Sequence, residues 1–450
     1  MSDIGVRPYW ELTFDAEGRC DPGERDALLG GVAQNGLSDL VVFSHGWNNT
    51  RTSATALYRR FFAPFPTLLA GAAHPGGLGY TGVIWPSMRF TDEPVPDFPA
   101  SPATATALDA AWPVLEPATL QALARVFPGS EALLDRLAEL LERRPDDPAA
   151  LAEFVGLARR LTTAGRQGAA DGGAGSSAWA YDLEEGAGEP AEPTMFSGDP
   201  ERACAAFAEA LSLAGVARTD LFGAVRRLWS GALELLRQAA YWEMKRRAGV
   251  VGQAGLGPVL GALAMRCPGV RVHLVGHSFG ARLVAFALRG LPVDARCVGS
   301  LTLLQGAFSH YAFASRLPFD SGKGGALREL QARVNGPVVC CHSRLDTALG
   351  VLYPLASLIS GDADSVRPET LLGVDAARWG AMGHDGVQAV AGTARATLAE
   401  ALAGPLPATG CVNVDAAAVV RLGGPPTGAH SDICHAELAR LVLLAGRVMR

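Results

Sequence analysis

Short, almost wholly apolar runs alternate along this chain with longer stretches in which apolar residues return every three or four positions. Three runs come first: LSDLVVFSH at 37–45, YTGVIWPS at 80–87 and VRVHLVGHS at 270–278. Each is rich in Val, Ile or Leu and ends on polar or turn residues. A strand covered on both faces needs no polar alternation, so these runs predict buried parallel strands. CVGSLTLLQGA at 297–307, GPVVCCHS at 336–343 and CVNVDAAAVV at 411–420 read the same way. Helical patterns lie between them. TSATALYRRFFAPFPTLLAG, interrupted by prolines, follows the first strand. After the third, Leu283, Val284, Ala287 and Leu288 share a face until Gly290 and Pro292 stop the helix. A last helix over roughly 432–447 carries Leu438, Leu441, Val442 and Leu443 on its apolar side. Strands alternating with helices predict an α/β fold, a mostly parallel sheet flanked by helices.

Residues 88–239 break this rhythm, with no convincing strand. A Pro/Ala loop leads into helical runs at about 117–126, 129–143 and 147–163. A helix starting at Pro200 has Asp199 or Ser197 as candidate cap, and another is expected over roughly 220–248. Residues 165–198 are low in complexity and rich in glycine, which predicts a flexible segment. The reading is therefore a core made of 1–88 and 240–450, with a helical insertion, or cap, at 89–239. The run AGVVGQAGLGPVLGALAMRC at 248–267 is near the length of a membrane span. Its five glycines, its proline and the strand that follows predict a buried, partly helical segment instead.

Composition narrows the function. About half the chain is apolar (49%), enough for a large core. A net charge of −6 without long charged runs argues against nucleic-acid binding, which needs a basic stripe. The eight cysteines are scattered and none forms a CxxC pair, so neither a zinc site nor a disulfide framework is expected, and a reducing cytoplasm fits. The opening residues lack the apolar core of a secretory signal. Stable membrane insertion is not expected either. Trp179 and Tyr181 lie in an acidic, glycine-rich stretch, unlike an interfacial anchor.

The candidate chemistry centres on GHSFG, Gly276 to Gly280. Among 53 glycines such a pentapeptide is weak by itself. Its context strengthens it, because Ser278 falls where a buried strand meets a helix. A sharp turn there needs small neighbours, which Gly276 and Gly280 supply, and it presents the serine Oγ at the helix N-terminus. Attack on a carbonyl would need two backbone N–H groups for the oxyanion. Phe279 and Trp47 are the candidates, the latter in VVFSHGWNN beside His45 and Gly46. A base must follow the later strands. His430, in PPTGAHSDICHAEL, fits best, with His384 in reserve and His435 read as lying inside the last helix. For the acid, Asp346 in GPVVCCHSRLDTALG follows an apolar strand on the expected ligand-binding edge, with Asp320 the alternative.

These pieces, VVFSHGWNN, VIWPS, VRVHLVGHSFGARLV, VVCCHSRLD and GAHSDI, give the chain a resemblance to the α/β-hydrolase superfamily over about 1–88 and 240–450. It is similar to bacterial hydrolases that share an F-x-H-G-x-N-N turn. The resemblance implies Ser278 as nucleophile, His430 as base, Asp346 as acid and the Phe279 and Trp47 amides as oxyanion hole. It implies no metal and no organic cofactor. The large insertion departs from the commonest pattern, which places the cap after the strand that follows the nucleophile helix. The expected activity is hydrolysis of a small-molecule ester, or a related acyl bond, through an acyl-enzyme. Acyl transfer by the same residues, or a hydrolase-fold scaffold without turnover, are the other readings.

Overall fold

The computed structural model of the chain describes residues 4–70, 77–88, 90, 114–170, 194–196, 198–213, 223–353, 380–424 and 427–449. Eight strands form one sheet in the order β1-β3-β2-β4-β5-β6-β8-β7, and every pairing is parallel. They are β1 Tyr9–Thr13, β2 Leu37–Ser44, β3 Gly77–Ile84, β4 Arg271–His277, β5 Val298–Leu304, β6 Pro337–His342, β7 Ala394–Thr397 and β8 Gly410–Asp415. The six apolar runs are all strands. The two edge strands, β1 and β7, were not expected from the sequence.

Side chains along a strand point alternately to opposite faces, and here the two faces feed two separate cores. Leu40 and Val42 of β2, with Val272 and Leu274 of β4, pack into one. Val41, Phe43 and Val275 pack into the other. Helix α1 (Pro22–Gln34) covers the first face, and α2 (Arg51–Phe62) and α3 (Phe65–Leu69) cover the second. Being covered on both sides is why β2 and β4 read as unbroken apolar runs.

From Pro117 to Val250 every described element is helical. The segments are α4 Pro117–Val126, α5 Glu131–Arg143, α6 Pro148–Ala170, a 3₁₀ turn Thr194–Phe196, α7 Pro200–Leu213 and α8 Ala224–Val250. Asp199 caps α7, its carboxylate accepting from the Arg202 N–H at 2.8 Å. Leu123, Leu137, Phe154, Phe207 and Trp229 from these helices join the same apolar cluster as the first face of the sheet. The boundary drawn at 239/240 lies inside α8. The chain stays helical past it, through a π segment Val251–Leu256 into α9 Gly257–Arg266. The glycine-rich segment lies largely outside the described residues, as do Trp179 and Tyr181.

The stretch Ala224–Arg266 is long and apolar enough to cross a membrane, but most of its apolar window is buried inside the protein. It serves as a core helix. The eight cysteines are all free. Burial pushes the Cys341, Cys204 and Cys411 thiols up to about 12, so they pack as small neutral groups.

The remaining α-helices among the described residues are α10 Phe279–Gly290, α11 Met382–Asp385, α12 Leu398–Ala403 and α13 Ala436–Ala445. Two of the crossovers leave the sheet in opposite directions. After β2 the chain turns to α2 on one face, whereas after β4 it turns to α10 on the other. The loops leaving these adjacent strands diverge, and open α/β sheets bind ligands at the C-terminal ends of strands that part in this way.

Candidate functional site

Ser278 sits at the C-terminal end of β4, between its last residue and the first of α10. Its backbone has φ 55° and ψ −122°, a positive-φ conformation that costs a non-glycine residue about 1–3 kcal/mol. The surroundings hold it there. Ser278 N–H donates to the Leu304 carbonyl at 3.1 Å, and its own carbonyl accepts from Ala281 and Ala307 at 3.1 and 3.2 Å. Both flanking glycines are required by space. A Cβ on Gly280 would lie 2.1 Å from the Ser44 carbonyl oxygen, and one on Gly276 would lie 2.3 Å from that of Gly280. At Gly46 a Cβ would come 2.7 Å from the Ser278 Cβ, so the turn after β2 lies directly against the elbow.

The three side chains named as nucleophile, base and acid form one hydrogen-bonded row. Ser278 Oγ is 2.9 Å from His430 Nε2, and His430 Nδ1 is 2.7 Å from Asp346 Oδ2. An ionised carboxylate only accepts, so Nδ1 carries the hydrogen and Nε2 is left to accept from the serine hydroxyl. Asp346 is fully buried, and its second oxygen accepts from the Leu349 N–H at 3.0 Å. Both oxygens are thus engaged and the carboxylate is fixed in rotation. His430 lies on the loop between β8 and α13, and Asp346 lies four residues past the end of β6. A wholly parallel sheet delivers all these loops to one edge.

Two N–H groups remain to be placed. Phe279 opens α10, so its N–H has no intrahelical acceptor. Among the described residues no acceptor faces the Trp47 N–H. The turn carrying Trp47 is built by its neighbours. Asn48 takes φ 61°, and its side-chain oxygen accepts from the Phe90 N–H at 2.7 Å. Asn49 N–H donates to Ser87 Oγ at 3.0 Å. His45 stacks on Trp85 with centroids 5.5 Å apart, and its carbonyl accepts from the Trp85 indole at 3.0 Å. These asparagine roles were not expected, although the NN pair was visible in the sequence.

No family model, no curated protein and no solved structure matches this chain. The site therefore stands on its own geometry.

Helix α8 lies over the elbow. Tyr241 packs on Phe279 (4.5 Å between centroids) and on Trp47 (5.3 Å), and Phe90 closes on Trp47 at 6.0 Å. Arg282, fully buried on α10, donates to the Lys245 carbonyl at 2.6 Å and so pins α8 to α10.

The other histidines fall elsewhere. His384 does not approach Ser278 in the way the reserve role required. Its Nδ1 lies 3.3 Å from the Asp346 carbonyl oxygen. His435 is not inside the last helix but is its N-cap, paired with Asp432 at 2.8 Å. His310 pairs with Asp385 at 3.0 Å. Burial holds His342 below the ordinary imidazole value, against the pull of Asp415. His74 lies outside the described residues. Asp320 is a turn residue that accepts from the Gly322 N–H at 3.1 Å. His273 belongs to a second row. Its Nε2 is 2.8 Å from Asp39 Oδ1 and its Nδ1 is 3.0 Å from Ser300 Oγ. Among the described residues no group of three or more His, Cys, Asp or Glu side chains is arranged to hold a metal ion.

Proposed function

We propose that the protein is a serine hydrolase of the α/β-hydrolase kind, cleaving a carboxylic ester through an acyl-enzyme. The observation that carries this reading is the continuous row Ser278 Oγ, His430 and Asp346, at 2.9 and 2.7 Å, starting from a positive-φ residue at a strand–helix junction. In this mechanism His430 Nε2 takes the Ser278 proton as Oγ bonds to the substrate carbonyl carbon. The carbonyl oxygen becomes an oxyanion, held by the Phe279 and Trp47 N–H groups and favoured by the N-terminus of α10. Protonated His430 then gives its proton to the leaving alcohol as the C–O bond breaks. A water, deprotonated by His430, attacks the acyl-enzyme, and the proton returns to Ser278 Oγ as the acid departs. Asp346 holds the imidazole in the required tautomer throughout. The chemistry calls on no metal and no organic cofactor.

The helices from Pro117 to Val250 serve in this reading as a cap on a hydrolase core. Trp47, Phe90, Tyr241 and Phe279 give the site an aromatic wall, which suits an apolar acyl or aromatic ester. The free, scattered cysteines suit a cytoplasmic location. Steady-state hydrolysis of a series of p-nitrophenyl esters tests the proposal. We expect turnover that His430→Ala and Ser278→Ala abolish, with preference for apolar acyl groups. A folded wild type that turns over no ester and transfers no acyl group would favour the scaffold reading. Equal rates on apolar, charged and amide substrates would remove the aromatic-wall argument.

A further inference from the structure

We infer that His277, the residue immediately before the nucleophile, is a positioning residue that ties the base to the elbow; the inference rests on the hydrolase reading. Its ring Nε2 lies 2.8 Å from the backbone carbonyl oxygen of His430. A carbonyl only accepts, so Nε2 carries a hydrogen and donates it. The two imidazoles are tilted against each other with centroids 5.1 Å apart, and His277 is only 1% exposed. The turn after β2 closes on its other side, where even a Cβ on Gly46 would come within 3.3 Å of Nδ1. The ring therefore has one confined position, and from it the ring reaches the base.

The loop that carries His430 needs such a tie. Between Asp415 at the end of β8 and Ala436 at the start of α13 it has no helix or strand among the described residues. On one side it is fastened to the segment of the acid. Ala429 N–H donates to the Leu345 carbonyl at 3.0 Å, and a Cβ on Gly428 would meet that same oxygen at 2.5 Å. On the other side it meets the nucleophile segment through Ser278 Oγ, a hydrogen bond that is lost each time the serine is acylated. The His277 bond takes no part in the chemistry and persists through the acyl-enzyme. It holds His430 Nε2 at the distance needed to activate the second nucleophile, water. Misplacing a catalytic group by about 1 Å can cost on the order of 100-fold in rate.

Three variants test this on the full chain: His277→Gln, His277→Asn and His277→Phe. The Gln amide nitrogen falls near the native Nε2, the Asn amide falls short, and Phe keeps a ring without a donor. The readouts are kcat and KM on p-nitrophenyl butyrate, with Ser278→Ala as the zero and the thermal midpoint of each variant alongside. We expect kcat to fall about 10- to 100-fold in the Asn and Phe variants, with KM nearly unchanged. His277→Gln should recover most of that loss, at a midpoint close to that of His277→Asn. Equal kcat in the Gln and Asn variants would overturn the inference, as would rates that simply follow the thermal midpoints. If His277→Phe fails to fold, the Gln and Asn pair decides alone. Absence of any Ser278-dependent turnover in wild type would overturn the hydrolase reading and this inference with it. Ser278-dependent turnover with no difference between Gln and Asn would overturn the tether alone.

Discussion

Ser278, His430 and Asp346 stand at the C-terminal edge of the sheet, whereas Ser300, His273 and Asp39 stand inside it, each the third residue of its strand. Both rows are hydrogen-bonded from serine to histidine to aspartate, with every distance between 2.7 and 3.0 Å. The inner row crosses β5, β4 and β2 side by side, and all three residues are 1% exposed. Its imidazole is turned the other way, with Nε2 toward the aspartate and Nδ1 toward the serine. Ser300 lies within β5, opposite His273 and just past a register shift between β4 and β5, and not at a strand end. Ser278 has a positive φ, a helix N-terminus behind it and an N–H beside it at Phe279. The difference teaches that three residue types in order make a polar bridge. In the proposed mechanism reactivity needs, in addition, the strand-end position and the donors that come with it.

The comparison can be broken most sharply at the serines. Ser278→Ala should lower ester turnover by about 10⁴-fold or more, read by steady-state kinetics, with little change in thermal midpoint. Asp346→Asn should approach that loss, about 10⁴-fold, because the amide can donate to Nδ1 and favours the wrong tautomer. In the inner row the cost should appear in stability instead. Asp39→Ala should destabilise by about 3–5 kcal/mol in urea titrations at pH 7, with kcat kept. Burial alone would raise the Asp39 pKa, but hydrogen bonds from His273 and Ser38 and the Arg271 guanidinium override it and hold the carboxylate below its ordinary 3.8. A depressed folded value means that the stabilisation is full above about pH 4 and fades as pH falls below it. The gap between wild type and Asp39→Ala should therefore narrow below about pH 4.

Two glycines give smaller, separable effects. Gly280→Ala should lower kcat by shifting the elbow against Ser44. Gly446→Ala, whose Cβ would lie 2.7 Å from His273 Nδ1, should cost about 1–3 kcal/mol of stability and leave kcat alone. Ser300→Ala should be the mildest, about 0.5–1.5 kcal/mol and at wild-type kcat.

The outer row was legible in the sequence because each member sits beside a strong local signal. Ser278 lies in a glycine-flanked elbow, Asp346 just past an apolar strand, and His430 ahead of the last helix. The inner row was not legible. Residues 39, 273 and 300 meet through strand register, which no local pattern encodes. The same holds for His277, whose partner lies 153 positions away. Strands β1 and β7 were missed for another reason. They are short edge strands; YWELT buries only Tyr9 and Leu12 and ARAT buries none of its residues, so neither has an apolar run. The position 239/240 falls inside α8 because the helical pattern continues across it, with no Pro and no break in periodicity to mark an end there.

The most direct test of the central claim is to label the native wild-type protein with a fluorophosphonate and map the adduct by peptide mass spectrometry. The account predicts modification of Ser278 alone, with Ser300 untouched. An adduct on Ser300 in the native protein, or equal labelling of wild type and Ser278→Ala, would contradict it.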